Sequence, residues 1–421
     1  MSEIDFRRPT RAEIGEFLRV SIESYGSDGT DDEVADELLS NEIDRSFGAF
    51  VDGRCVGGSG AFGFEVTMPG GQVVPAAGVT MVGVMPTFRR RGILTRLLHQ
   101  LHQDADDRAE PIALLTASET SIYRRFGYGI ASDVAHVQIA ADSVRFDPPI
   151  DDAGTFELID PRRDTTVIEA IHDLVRRSRP GWLDLHAGMW AQIRSDPTSA
   201  RHGRTPLRGV VHRDREGDPD GYATWRIAAR RHPDRLAGNA LHIEHLTTAE
   251  LGIEAALWAF LASIDLVTTL HWETAPPDPA IRWRLVEPRQ LRTLARADMI
   301  WARLLDIAVA LAARTYGAAG SVTFDVVDRF HPERGGRFRL SCAERGAPGR
   351  CERLDADASD AHSDTAASLT IDTADLASLT MGGVTPSVLA DAGRLVGAPA
   401  AVDAADALFA LPRRPWYPIE F

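Results

Sequence analysis

The chain has 421 residues, 44% hydrophobic and 25% charged, with a formal net charge of −15; that length suits two or three domains, each with its own core. The acidic balance argues against nucleic acid, whose phosphates need a basic face, and fits a cationic small molecule or amine. All 46 basic residues are arginine, which excludes a phosphate-loop lysine, a Schiff-base lysine and any catalytic lysine.

No run of eighteen apolar residues occurs, and the opening MSEIDFRRPT lacks the apolar stretch of a signal peptide, so a soluble, cytoplasmic protein without a membrane span is expected. Cys55, Cys342 and Cys351 match neither zinc nor disulfide spacing. The histidines show no metal-like pairing, and His99 and His102, three apart on a helix, are expected to face solvent; no metal site is expected.

Helix-spaced apolar residues run over Asp5–Leu18 and Asp31–Leu39, the second opening on carboxylates that suit a helix N-terminus. Phe47–Val51, a DGR turn and Cys55–Phe64 predict a hairpin. After the MPGG turn, Val79–Val84 predicts a strand buried on both faces. From Ile93 the period becomes helical, with Leu94, Leu97, Leu98, Leu101 and Ala105 on one stripe; Ile112–Thr116 is a second buried strand. A similar order follows: helices at Thr165–Val175 and Leu183–Ile193, strands at Leu207–His212, Tyr222–Ile227 and Ala240–Leu246, a helix from Leu251 to Leu261 and a strand from Leu266 to Trp272. The last third offers a helix at Leu304–Arg314, strands at Ser321–Val327 and Gly336–Cys342, a polar loop at Asp355–Ser368 and short helices. Its closing RRPWYPIEF is too apolar for a free tail.

Between the strand at Val84 and the helix at Ile93 stands VGVMPTFRRRGIL, the most informative stretch. A helix N-terminus exposes unpaired backbone N–H groups and a partial positive charge. Gly92 lets a ligand approach that backbone, and Arg89, Arg90 and Arg91 add forked cationic donors, so a pyrophosphate is the natural guest. The other side of such a run is a solvated charge cluster; Arg89, Arg91 and Gly92 are the preferred contacts. The matching turn of the second segment, HIEHLTTAELGIEAAL, has neither the arginines nor the glycine, so a second copy would lack the anion site.

Arg-x-x-Gly-x-Leu after a strand ending in GVMP resembles the coenzyme A signature of GNAT acetyltransferases. With TASETSIYRRFGYG and the terminal EF, the chain resembles the mycobacterial Eis family of N-acetyltransferases over essentially its whole length. The resemblance implies an α+β chain of tandem GNAT folds, active N-terminal (1–150) and degenerate central (151–287), followed by a C-terminal sterol-carrier-protein-like α/β domain (288–421). It implies acetyl-CoA as acetyl donor, bound by the backbone of Val82, Gly83 and Val84, by Arg89 to Leu94 and by Ser118, with the Val82 amide as oxyanion donor. Tyr123 corresponds to the family's general acid, with Tyr128 as the rival that packing claims, and the terminal carboxylate of Phe421 to the general base. Glu420, Tyr25 and Asp28 are candidates for the acceptor side. The family acetylates aminoglycosides at several amines and forms hexamers from paired trimers. Two other readings stand beside this one: a protein-lysine acetyltransferase, which a shallow groove would favour, and a lipid or sterol binder, which needs an apolar tunnel in the last domain.

Overall fold

Strand Val73–Val84 and strand Ile112–Thr116 set the frame of the first unit. The computed structural model describes residues 3–229, 238–248, 250–354 and 368–421. The first unit comprises β1 (Asp5–Arg7), α1 (Ile14–Ser24), α2 (Asp31–Glu37), β2 (Ser46–Val51), β3 (Arg54–Thr67), β4 (Val73–Val84), α3 (Ile93–Asp107), β5 (Ile112–Thr116), α4 (Thr120–Tyr123) and β6 (Gly129–Ile130). β4 and β5 run parallel and pair only from Ala76↔Ile112 to Gly78↔Leu114. Beyond Gly78 they part, and α3 bridges the gap. Ile93, Leu97, Leu98, Leu101 and Ala105 are buried on the stripe the sequence predicts. At about 1.5–3 kcal/mol for each large side chain, that stripe fixes the helix start at the mouth of the opening.

The second unit repeats the plan with β7 (Asp133–Ala140), β8 (Thr155–Ile159), α5 (Thr166–Arg176), α6 (Ala187–Ser195), β9 (Arg208–Arg213), β10 (Pro219–Ala228), β11 (Asn239–Thr248), α7 (Leu251–Ala262), β12 (Val267–Ala275) and β13 (Arg292–Asp298). Here β11 and β12 are the parallel pair, from Asn239↔Val267 to Ile243↔Trp272. β14 (Ile300–Leu304) then returns to the first sheet, in the order β1-β2-β3-β4-β5-β14-β6, while β7 joins the second, β13-β7-β12-β11-β10-β9-β8. β14 pairs with both β5 and β6 and covers an edge that would otherwise stand open.

The third unit contains α8 (Ile307–Ala312), β15 (Gly320–Val327), β16 (Gly336–Cys342), β17 (Arg350–Leu354), β18 (Ser368–Asp372), α9 (Thr373–Met381), α10 (Pro386–Asp391), β19 (Leu395–Gly397) and α11 (Pro399–Phe409). Its sheet runs β17-β16-β15-β18-β19, and α9 is buried at every position. The α+β class and the three-part plan are as expected.

Local departures have physical causes. Asp5–Leu18 is not one helix: Asp5–Arg7 pairs with β2, and the Arg7 guanidinium lies 3.8 Å over the Phe50 ring and forks onto Glu13. The helix expected from Leu304 begins at Ile307, because the Asp306 carboxylate accepts from the Val309 N–H at 3.0 Å and caps it there. Leu183 lies before α6, in a bridge to Val66. The polar loop expected at 355–367 lies outside the described residues. Among the described residues no helix is long and apolar enough to cross a membrane.

Candidate active site

The chain leaves β4 through a 3-10 turn, Pro86–Phe88, and Arg90 and Gly92 then take left-handed conformations, φ 63° and 77°. Gly92 serves as N-cap of α3 and offers no capping side chain. The first intrahelical bond runs from the Arg96 N–H to the Gly92 carbonyl at 3.1 Å, so the preceding N–H groups of the helix have no intrahelical partner. A Cβ on Gly92 would meet nothing within 4 Å. α2 makes the contrast: Thr30 and Glu33 close its N-terminus with a capping box. The α3 start is therefore an uncapped, positively polarised helix end, open to an anion.

This helix end opens on a cavity of about 570 Å³, within the range of small-molecule sites. One wall is Val82, Gly83 and Val84; the turn contributes Arg89, Arg90 and Gly92; the far wall is Ser118 and Tyr123. Tyr25 is half-exposed at the rim, where burial raises its phenol and the Val82 amide partly offsets that. Tyr123 is buried, and burial first, then the neighbouring Tyr25 and Glu119, hold its phenol well above the ordinary value. It stays protonated through the neutral range, as a proton donor must.

The segment carrying Tyr123 is pinned from behind by the third unit. Arg124 forks onto Asp375 at 3.0 and 2.5 Å. The fully buried Arg303 donates to the Phe126 carbonyl at 2.5 Å and to Asp328 at 2.6 Å. Tyr128 is fully buried and its hydroxyl lies 2.9 Å from His102 Nε2. His102 Nδ1 is 3.2 Å from His331 Nε2, and His331 Nδ1 is 2.9 Å from Glu333. The carboxylate accepts from His331, which fixes the rest of the chain: His102 donates to His331, and Tyr128 donates to His102. Tyr128 is thereby committed to packing. His102, expected at the surface, is completely buried, and burial drives its pKa well below the ordinary value.

Models of an acetyltransferase (GNAT) domain match residues 5–131 and again 181–304, and a sterol carrier protein domain matches 307–418. N-acetyltransferase Eis of Mycobacterium tuberculosis is 32% identical over 338 residues, 79% of this chain and 77% of that one. An N-acetyltransferase of Streptomyces coelicolor is 38% identical over 361 residues, 84% and 83% of the two chains. The chain belongs to the Eis family of GNAT N-acetyltransferases. Eis1 of Mycobacterium abscessus superposes over the full length of both chains with a TM-score of 0.85 at 29% identity. A GCN5-related N-acetyltransferase of Anabaena variabilis, at 21% identity and a TM-score of 0.83, shares the fold.

Of the residues expected at an Eis-type site, the cavity gathers Tyr25, Val82, Gly83, Val84, Arg89, Arg90, Gly92, Ile93, Leu94, Ser118 and Tyr123. Arg91 stands outside it: its guanidinium donates to the Thr87 carbonyl and sits 4.8 Å over the Phe88 ring. Asp28 is exposed and away from the cavity. Glu420 borders a different cleft of about 230 Å³, with Arg204, Glu244 and Glu273 of the second unit. Phe421 lies on the β3–β4 face, its ring 5.0 Å from that of Phe64 and against Gly78, where a Cβ would come within 3.1 Å of it. The sequence reading missed Arg125 and Glu119 in the cavity wall. It also missed His186, from the second unit, which packs against Phe62 and Phe64 beside Phe421. A lone histidine before a helix gives no signal in sequence.

Proposed function

We propose that this N-acetyltransferase moves an acetyl group from acetyl-CoA to a primary amine of a small cationic acceptor, aminoglycosides among them, by direct attack. The supporting observation is the uncapped α3 start beside Arg89 and Arg90 in the same cavity as the buried, protonated Tyr123. The donor set suits a diphosphate: backbone N–H groups and guanidinium forks, with no carboxylate in the turn. Acetyl-CoA, when bound, supplies the thioester carbonyl. The Val82 amide and its strand neighbours orient it, and Tyr123 protonates the departing thiolate. The same dry wall that raises the phenol also raises the proton affinity of a thiolate beside it. The carboxylate of Phe421, whose ring packs against Phe64 and Gly78 of the first unit, takes the proton of the acceptor ammonium directly or through a water.

Thiol release from acetyl-CoA across a panel of amines tests this, comparing the intact chain with one lacking Phe421. Lost turnover with retained acetyl-CoA binding is expected; equal turnover assigns the base elsewhere. Acetylation of protein lysines is the second reading, favoured by the open rim at Tyr25. The lysine-free chain gives no ε-amino background in that assay. Assembly into hexamers, as in the family, would shelter Leu158 and Trp283, both largely exposed on the second unit; light scattering would then read six chain masses.

A further inference from the structure

The second unit opens a cleft where the first has its cavity. β11 and β12 part beyond Ile243 and Trp272, and α7 bridges them as α3 bridges β4 and β5. The space, about 200 Å³, lies among the end of α5, the end of β11, the start of α7 and residues following β12. Its lining mixes Glu250, Glu254 and Asp278 with Arg179 and Arg413, and the helix start differs in charge. Where the first unit has three arginines and Gly92, the α7 start has Glu250 as N-cap and Glu254 in its first turn, so its own carboxylates answer the helix dipole. Burial pushes the Glu254 carboxyl up to about 7, and the helix start offers no arginine-flanked glycine backbone for a diphosphate.

The chain's own C-terminal segment forms one wall of this cleft, with Arg413 and Trp416 in its lining. Pro415, Trp416, Tyr417 and Pro418 are buried. The Trp416 indole N–H donates to the Thr274 carbonyl of β12 at 2.9 Å, and its backbone N–H to Pro180 at 2.9 Å. Its ring stands edge-on to Trp182 and Trp272 at 5.5 and 5.7 Å. Arg179 closes the outside, with its guanidinium 5.3 Å over Trp416 and its Nε donating to the Arg414 carbonyl at 3.0 Å. Five residues further on, Phe421 reaches Phe64 and Gly78 of the first unit.

We propose that the degenerate copy of the cofactor cleft is a seat for the chain's own C-terminal segment, with Trp416 as the anchor that delivers residues 417–421 to the first unit. Trp416 is then a positioning residue for the acetyl transfer. The catalytic consequence rests on the reading of Phe421 as base; the anchoring itself does not.

Two readouts separate these. Release of Phe421 by a carboxypeptidase, followed by mass spectrometry, reports anchoring alone; thiol release from acetyl-CoA reports turnover. In Trp416→Gly, Phe421 release is expected to rise at least about tenfold and kcat to fall, with the KM for acetyl-CoA unchanged, and added indole is expected to restore both. Trp416→Phe, which keeps a ring but loses the bond to Thr274, should fall between. Should Trp416→Gly fail to fold by its melting curve, Trp416→Phe and Arg179→Ala carry the test. Unchanged protection of Phe421 in the folded variants would overturn the seat. Faster release with full turnover would keep the seat and instead remove Phe421 from the chemistry.

Discussion

The two copies of one cleft differ less in backbone than in the ten or so residues that begin the bridging helix. Both have a parallel strand pair that parts partway along, β4–β5 and β11–β12. The first copy follows its strand with Arg89, Arg90 and a left-handed Gly92 and leaves the helix end bare. The second places Glu250 and Glu254 there and admits Trp416. The fold supplies an opening, and the turn decides whether the opening takes an anion or a tryptophan.

The largest effect is expected at the proposed general acid. Among the described residues Tyr123→Phe removes the only phenol that both lines the cavity and is buried, and kcat should drop by about 10²–10⁴-fold, the usual worth of general acid catalysis. The KM for acetyl-CoA should hold. Steady-state kinetics checks this; a small loss of kcat would hand the proton to water.

Next comes the anion grip. Charge-assisted hydrogen bonds contribute about 1.5–3 kcal/mol each, so Arg89→Ala with Arg90→Ala should weaken acetyl-CoA by at least about tenfold in calorimetry. Arg91→Ala should change little, because its guanidinium is turned onto Thr87 and Phe88. The wild-type stoichiometry should be one per chain. A second equivalent would mean that the carboxylate-lined cleft also binds, and the contrast between the copies would fail.

A pH series sharpens the same contrast from the other side. Glu254 has a folded-state pKa pushed up to about 7 by burial, above its unfolded value of about 4.3. The folded chain binds its proton more tightly, so the group favours folding below about pH 4 and loses that contribution as pH rises through about 7. Glu254→Gln should therefore gain stability at pH 8, by at most about 3–4 kcal/mol, read as a rise in melting temperature, and gain nothing at pH 4. A gain independent of pH would mean the carboxyl is solvated.

How much of this could be read beforehand follows from where the information lies. The α3 stripe and the arginine turn are local patterns, and both stand where the sequence places them. The tandem plan was legible because the order of helices and strands recurs, and the missing arginines of the second turn already marked it as different. Strand exchange was not legible. The sequence reading assigns no strand to either Asp133–Ala140 or Ile300–Leu304, and only the need to cover the edge of β5 decides which sheet each joins. The burial of His102 was hidden for the same reason: its partners are Tyr128, 26 residues on, and His331, 229 residues on. Helical spacing speaks for a residue's own helix and is silent about a loop that arrives from another unit. Arg91 shows the limit of composition: the sequence reading prefers it to Arg90, yet Arg90 lines the cavity and Arg91 is turned onto Thr87 and Phe88.

Tyr25 gives the smallest and most discriminating effect. Its phenol feels the Val82 amide, the same donor that the proposed mechanism assigns to the acyl oxygen, so the two oxygens are expected to compete for that amide. Tyr25→Phe keeps the ring that walls the cavity and frees the amide. A neutral hydrogen bond of this kind has a net worth of about 0.5–1.5 kcal/mol, so kcat/KM should rise by roughly two- to tenfold. A fall of that size would instead show that the hydroxyl touches the acceptor amine, and Tyr25 would move from gatekeeper of the amide to part of the substrate site.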